Sequence, residues 1–289
     1  MKLVLGTVQF GLNYGINNQQ GKPSYSSVKS ILDKAYTSGI TLLDTAEAYG
    51  DAQERIGLYH NKYGNKFKVI TKFSSSVKNL PSNISDRVLN NIKILNIDSL
   101  YCYMFHSFND FNNYFYEFEK DLCLLKNNGF IQKTGISLQT NEEFEKILEF
   151  DNIDLIQIPF NLLDNSNKRN EILIKAKQKG IEVHTRSVFL QGLIFKNPSD
   201  KNPIVKSLKS ELEILNRIAN KSNCSMEELA LSYCLHQKNI NNIIIGVDSI
   251  NQLNDNVKAA SYNICEDDIK LINNINVKDL DLLNPSLWK

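Results

Sequence analysis

The chain has almost no excess of either charge: 33 Lys and Arg stand against 32 Asp and Glu in 289 residues. That balance gives no electrostatic signal for nucleic acid or for an anionic membrane surface. Long apolar runs are missing too, and nothing approaches the roughly 20 residues of a membrane-spanning helix. The opening MKLVLGTVQFG has one Lys and a very short apolar run ending in Gly. It reads as a buried first strand and not as a signal peptide. The cysteines are few and odd in number: Cys102, Cys123, Cys224, Cys234 and Cys265 are scattered and lack CxxC spacing. A reduced, cytoplasmic compartment is the simplest reading, and no metal site is expected. No stretch rich in Pro, Gly or Ser marks a linker and no block has low complexity, so residues 1–289 are expected to form a single domain. Asn and Lys are abundant, which makes some surface helices look more polar than their packing role requires.

What is present is an alternation of short apolar runs with longer amphipathic segments, the pattern of repeated βα units. The runs are LVLGT (3–7), ITLLDT (40–45), KVITK (68–72), SLYCYMFH (99–106), KTGIS (133–137), IDLIQIPF (153–160), IEVHTRS (181–187) and NNIIIG (241–246). Each has few charges, as strands buried on both faces should. Between the first two, SSVKSILDKAYTSG places Val28, Ile31, Leu32 and Ala35 at helical spacing and stops at Gly39. Further helices are expected after Ser85, over 112–128, 141–150 and 165–180, near 204–221 and 225–237, and from about Ser249. Residues 188–205, with Gly192, Pro198 and Pro203, break the rhythm and predict a long βα loop on the catalytic face. The fold class predicted is α/β, a (β/α)8 TIM barrel, which commonly reaches this length as one domain.

Strand ends of such a barrel converge on one mouth, so residues distant in sequence meet there. Asp44, Tyr49, Lys72 and His106 each lie just past a predicted strand. Taken singly, each has an ordinary structural explanation: Asp44 as a helix cap, Tyr49 as a half-buried aromatic, Lys72 as a solvated strand terminus, His106 as a hydrogen-bonded core residue. Together they form a set of complementary chemistry. A lysine buried at a strand end needs a counter-ion, and Asp44 is the nearest plausible one. Delivery of hydride to a carbonyl carbon leaves an alkoxide that must receive a proton as it forms. Tyrosine, with an ordinary pKa of about 10, is protonated at neutral pH and can give it. Lys72 would stabilise the resulting phenolate, Asp44 would anchor Lys72, and His106 would hydrogen-bond the carbonyl oxygen.

At these residues the chain resembles the aldo-keto reductase superfamily over essentially its whole length, through LGTVQFG, LLDTAEAYG, VITK, the strand ending in His106, GIS (135–137), QIPFN (157–161) and IIGVDSINQLNDN. The resemblance implies a nicotinamide cofactor, NADP(H) or alternatively NAD(H), bound across the barrel mouth without a Rossmann domain. It places the catalytic four on Asp44, Tyr49, Lys72 and His106. It also implies cofactor contacts by Thr7, Asp44, Ser137 and Gln157, and by Gly246, Ser249, Gln252, Asp255 and Asn256 toward the adenosine end, where a helix N-terminus would face an anion. Three positions depart from the family's pattern. Leu138 replaces a common Asn, Arg186 stands where a tyrosine usually stacks on the nicotinamide, and Gln252 replaces a frequent Arg while Asp248 adds negative charge. Arg186 can still stack, or can pair with a phosphate or an anionic substrate.

The expected partner is a small-molecule carbonyl compound, with no nucleic acid or membrane involved and a monomer as the default state. Phe108, Phe111, Phe189, Phe195 and Trp288 are candidates for an apolar pocket, though loop aromatics also serve as packing anchors. HTRSVFLQGLI resembles a bacterial branch linked to sugar metabolism, which implies a keto sugar and a role for Arg186 or Lys196 toward phosphates. Three readings stand: a carbonyl reductase, a nicotinamide-binding sensing subunit with little turnover, and a lyase using Lys72 as a Schiff-base nucleophile.

Overall fold

Each of the eight apolar runs becomes a strand, and the strands close into one parallel barrel in sequence order. They are β1 Leu3–Gly6, β2 Leu42–Asp44, β3 Lys68–Phe73, β4 Cys102–Phe105, β5 Thr134–Ser137, β6 Leu155–Pro159, β7 Glu182–Arg186 and β8 Asn242–Gly246, with β8 paired back onto β1. The structure is a computed structural model and describes residues 1–18 and 20–288. The strands are shorter than the apolar runs, except β3, which continues one residue past its run to Phe73. Leu100, for instance, makes only an isolated bridge to Ile131 ahead of β4.

Side chains along a strand alternate between the two faces. One face meets the surrounding helices; the Tyr25–Thr37 helix, capped by Ser24 on the Ser27 N–H, buries Val28, Ile31, Leu32 and Ala35 against it. The other face fills the barrel. There Val4, Leu42, Ile70, Met104, Leu155 and Ile244 form a separate apolar plug together with Cys102. Two residues further along the same strands lie Gly6, Asp44, Lys72, His106, Gln157 and Gly246. The period of two therefore stacks a polar layer directly on an apolar one, at the C-terminal mouth.

Helix boundaries differ from expectation where a polar cap was not read as one. The helix predicted from 112 begins at Phe108, because the Ser107 hydroxyl accepts the Asp110 N–H. The helix expected after Ser85 is capped by Asn83 and starts at Ile84. The 141–150 segment is helical only over Asn141–Ile147. The predicted 188–205 loop contains a 3-10 stretch, Leu190–Phe195, and a short helix, Pro203–Ser207, whose N-terminus Asn202 caps. Among the described residues no helix is long and apolar enough to cross a membrane, and no group of His, Cys, Asp and Glu could hold a metal ion.

The opposite end of the barrel is held by a polar cluster. Lys133 pairs with Glu182, the Tyr101 hydroxyl donates to Glu182 at 2.9 Å, and His184 Nε2 lies 2.6 Å from Glu182 Oε1. Burial opposes ionisation of Glu182, but the hydrogen bonds from His184, Lys133 and Tyr101 outweigh it and bring its pKa down to about 2. Since the folded value lies below the unfolded one, this stabilisation is present above about 4.5 and is lost as the pH falls toward about 2. Glu182→Gln is expected to lower the melting temperature near pH 7 by about 2–4 °C and to flatten the acid loss of stability across that window. Thermal melts of both proteins as a function of pH measure it.

Candidate active site

The polar layer brings all four expected catalytic residues to one cavity of about 550 Å3. At its floor, Lys72 Nζ donates to Asp44 Oδ2 at 2.7 Å and to the Thr45 carbonyl at 2.8 Å. Both charged side chains are almost wholly buried. Asp44 is fixed from two further sides. Gln157 Nε2 donates to its Oδ1, and the backbone N–H and hydroxyl of Thr7 each reach the Asp44 carbonyl at 3.0 Å. Lys72 Nζ lies 5.2 Å from the centre of the Tyr49 ring, and the His106 ring meets that ring edge-on at 5.5 Å between centroids. Among the described residues, neither the Tyr49 hydroxyl nor a ring nitrogen of His106 has a hydrogen-bond partner. Both face the cavity with their polar atoms free.

Burial sets the protonation states. It holds the Tyr49 phenol far above its ordinary pKa, reinforced by the Asp44 carboxylate and opposed by Arg186. It also lowers His106, with Lys72 and Arg186 adding repulsion, to about 3, so the imidazole is neutral at physiological pH. Lys72 is depressed by burial against the opposing charge and hydrogen bond of Asp44. The site thus offers one neutral phenol donor and one neutral imidazole beside a buried ion pair.

The turn that carries Tyr49 is locked by residues that sequence reading passed over. Glu47 accepts from Arg87 Nε at 2.9 Å and Nη2 at 2.5 Å, from Asn91 Nδ2 at 2.7 Å and from the Tyr103 hydroxyl at 2.8 Å. Glu47 and Arg87 are buried, the Glu47 side chain at 1% exposure. Behind Tyr49, the Val8–Gly11 helix packs so closely that a Cβ on Gly11 would lie 1.7 Å from the Tyr49 carbonyl oxygen. The sequence signal was the Glu placed between Asp44 and Tyr49 in DTAEAYG, yet its partner Arg87 is 40 residues away in a helix. Arg87→Met, which leaves Glu47 charged and unpaired, should cost about 3–5 kcal/mol and lower kcat as the turn loosens. Chemical denaturation and steady-state rates on the same preparation would measure both effects.

Of the residues expected to contact a cofactor, Thr7, Asp44, Ser137, Gln157, Arg186, Gly246, Gln252, Asp255 and Asn256 line the cavity. Ser249 does not; its hydroxyl accepts the Gln252 N–H at 3.3 Å as the cap of the Ile250–Ala259 helix. Gln157 commits its amide N–H to Asp44, which leaves its carbonyl oxygen for a ligand. Arg186 extends from β7 across to β5, where Nη2 donates to the Leu138 carbonyl at 3.1 Å and to Gln139 Oε1 at 2.8 Å. Among the cavity residues that were missed are Gln9, whose buried Oε1 has no partner, and Asn17, whose Nδ2 donates to the Gly192 carbonyl at 2.6 Å. The latter bond and that of Gln191 Nε2 to the Tyr14 hydroxyl, 2.9 Å, tie the segments after β1 and β7 across the cavity. The orphaned Gln9 oxygen, the free Gln157 carbonyl and the elongated wall running to Asn256 fit a polar, extended ligand such as a nicotinamide dinucleotide.

Among the aromatics, Phe189 and Phe195 line the cavity. Phe108 and Phe111 do not: the earlier helix start carries them away from the mouth, and Phe111 packs against Phe105, Phe115 and Phe150. Trp288 donates its indole N–H to the Leu282 carbonyl, within its own tail. Lys196 faces Asp200 at 3.9 Å and is absent from the cavity wall.

Comparison with known proteins agrees with this geometry. The chain is 25% identical over 289 residues to the NADH-specific methylglyoxal reductase of Escherichia coli, covering 85% of this chain and 86% of that protein. It is 24% identical over 261 residues to the L-galactose dehydrogenase of Arabidopsis thaliana, covering 89% and 77%. A solved aldo-keto reductase of Bacillus halodurans in its holo form superposes with a TM-score of 0.78 at 21% identity, over 96% of this chain and 93% of that one. The family model described as the aldo/keto reductase family matches residues 2–277, nearly the whole chain. With that match and the barrel mouth described above, the chain belongs to the aldo/keto reductase family, a family of oxidoreductases.

Proposed function

We propose that this protein reduces an aldehyde or ketone, a keto sugar among the candidates, with a nicotinamide dinucleotide as reductant and Tyr49 as proton donor. The observation that carries the reading is the Tyr49 hydroxyl: free of protein partners, held protonated, and placed beside a buried Lys72–Asp44 pair and a neutral His106. When bound, the reduced nicotinamide supplies the hydride. Ser137, the Gln157 carbonyl and Asn256 would hold it along the cavity wall. His106, which is neutral and keeps one N–H, binds the substrate's carbonyl oxygen and aims it at Tyr49. As charge grows on that oxygen, the Tyr49 proton moves to it. The Lys72 ammonium stabilises the phenolate left behind, and Asp44 keeps that ammonium in place. Arg186 adds a second positive charge near the phenolate. The partner is a small molecule and the working unit a single chain. A Schiff base at Lys72 is disfavoured, because Nζ is already committed to Asp44 and the Thr45 carbonyl.

Purified protein should oxidise NADH or NADPH in the presence of an activated aldehyde. Tyr49→Phe should reduce kcat by about 10²–10⁴-fold with dinucleotide binding retained. Full turnover by Tyr49→Phe, or no binding of either dinucleotide, would refute the proposal. Because His106 stays neutral down to about 3, the kcat/KM profile should show no inflexion near the free-histidine value of about 6.5. Arg186→Gln removes one of the charges that repel a proton from His106, and any acid limb should then move upward in pH.

A further inference from the structure

The catalytic residues leave open which dinucleotide is used, and the far end of the cavity bears on it. Away from Tyr49, the wall is built by Asp248, Gln252, Asp255 and Asn256 at the Ile250–Ala259 helix, with Glu227 from the Met226–His236 helix. Three of these residues are carboxylates. Among the described residues that line the cavity, the only Lys and Arg are Lys72 and Arg186, and both belong to the catalytic end.

A helix N-terminus can offset a missing cation by presenting free N–H groups. Here one such group, the Gln252 N–H, is already taken, and so is the Asp248 N–H just ahead of the helix. The Asp248 N–H donates to Gln252 Oε1 at 2.7 Å, and the Gln252 N–H donates to Ser249 Oγ. The Asp248 carboxylate is half-buried and has no cation beside it. Its Oδ1 accepts Asn18 Nδ2 at 3.3 Å, and the Gln252 amide beside it favours the ionised form. Such a group accepts hydrogen bonds from hydroxyls and repels phosphates. Acceptance of ribose hydroxyls by a carboxylate is a general device for distinguishing the two dinucleotides.

We infer that the protein selects NADH over NADPH, and that the Asp248 carboxylate is the determinant, accepting an adenosine ribose hydroxyl and repelling a 2′-phosphate. The inference rests on the reductase reading of the same cavity.

Binding measured by calorimetry, without substrate, tests it. The full chain should bind NADH at least about tenfold more tightly than NADPH at low ionic strength, as expected for an uncompensated charge facing a phosphate. Added salt should narrow that ratio by screening. Asp248→Asn keeps the shape and removes the charge; it should tighten NADPH by about tenfold and weaken NADH, whose ribose hydroxyl loses a charged acceptor. Asp248→Ser should do the same, and gives a second reading if the first variant is unstable. Equal affinities, or tighter NADPH binding, in the unmodified protein would overturn the selectivity and leave the reductase reading standing. A ratio that neither substitution changes would overturn the assignment to Asp248. Failure of both dinucleotides to bind would remove the reductase reading itself, and the inference with it.

Discussion

The buried ion pair between Lys72 and Asp44 is the constraint around which the barrel mouth is arranged. Removing two charges from water is costly, and removal of either partner alone would leave an uncompensated charge worth about 3–5 kcal/mol. The surrounding residues meet that cost with hydrogen bonds. Gln157 comes from the far side of the barrel, the Thr45 carbonyl from the turn, and Thr7 holds the strand end that carries Asp44. In return the pair delivers a fixed positive charge beside Tyr49. The same charge adds to the burial that keeps His106 neutral, so one interaction bears on both groups that face the cavity.

A second layer of constraint keeps Tyr49 in register with that charge. The turn from Thr45 to Gly50 is not a strand; its start is held to β3 by the Thr45 and Glu47 N–H groups, which donate to the Ile70 and Lys72 carbonyls. Glu47 takes over that role by drawing Arg87, Asn91 and Tyr103 into one buried network. On the other side, Gly11 allows backbone contact that any side chain would forbid. The geometry of this barrel mouth therefore depends on polar residues behind the site as much as on those within it.

Much of this was legible in the chain. The strands were visible because residues buried on both faces must be apolar, and Asp44, Tyr49, Lys72 and His106 stood out as polar residues ending such runs. The Tyr25–Thr37 helix was visible through its spacing. The helix containing Phe108 and Phe111 was placed four residues late, since Ser107 reads equally as loop and as cap until the Asp110 N–H is seen to meet it. That misplacement put Phe111, a core aromatic, and Phe108, which packs against the core, at the mouth. Ser249 was read as a cofactor contact for a related reason: a hydroxyl at a helix start serves either a ligand or the helix, and here it serves the helix.

The sequence by itself determined the barrel, its strand order and the four residues at its mouth, because the period of two and the burial of strands on both faces are local properties of the chain. Only the tertiary structure decided what those residues touch. The pairing of Gln157 with Asp44, of Glu47 with Arg87 and of Asn18 with Asp248 spans 113, 40 and 230 residues. Closure of the barrel brings these partners together, and separations of that length leave no trace in local pattern.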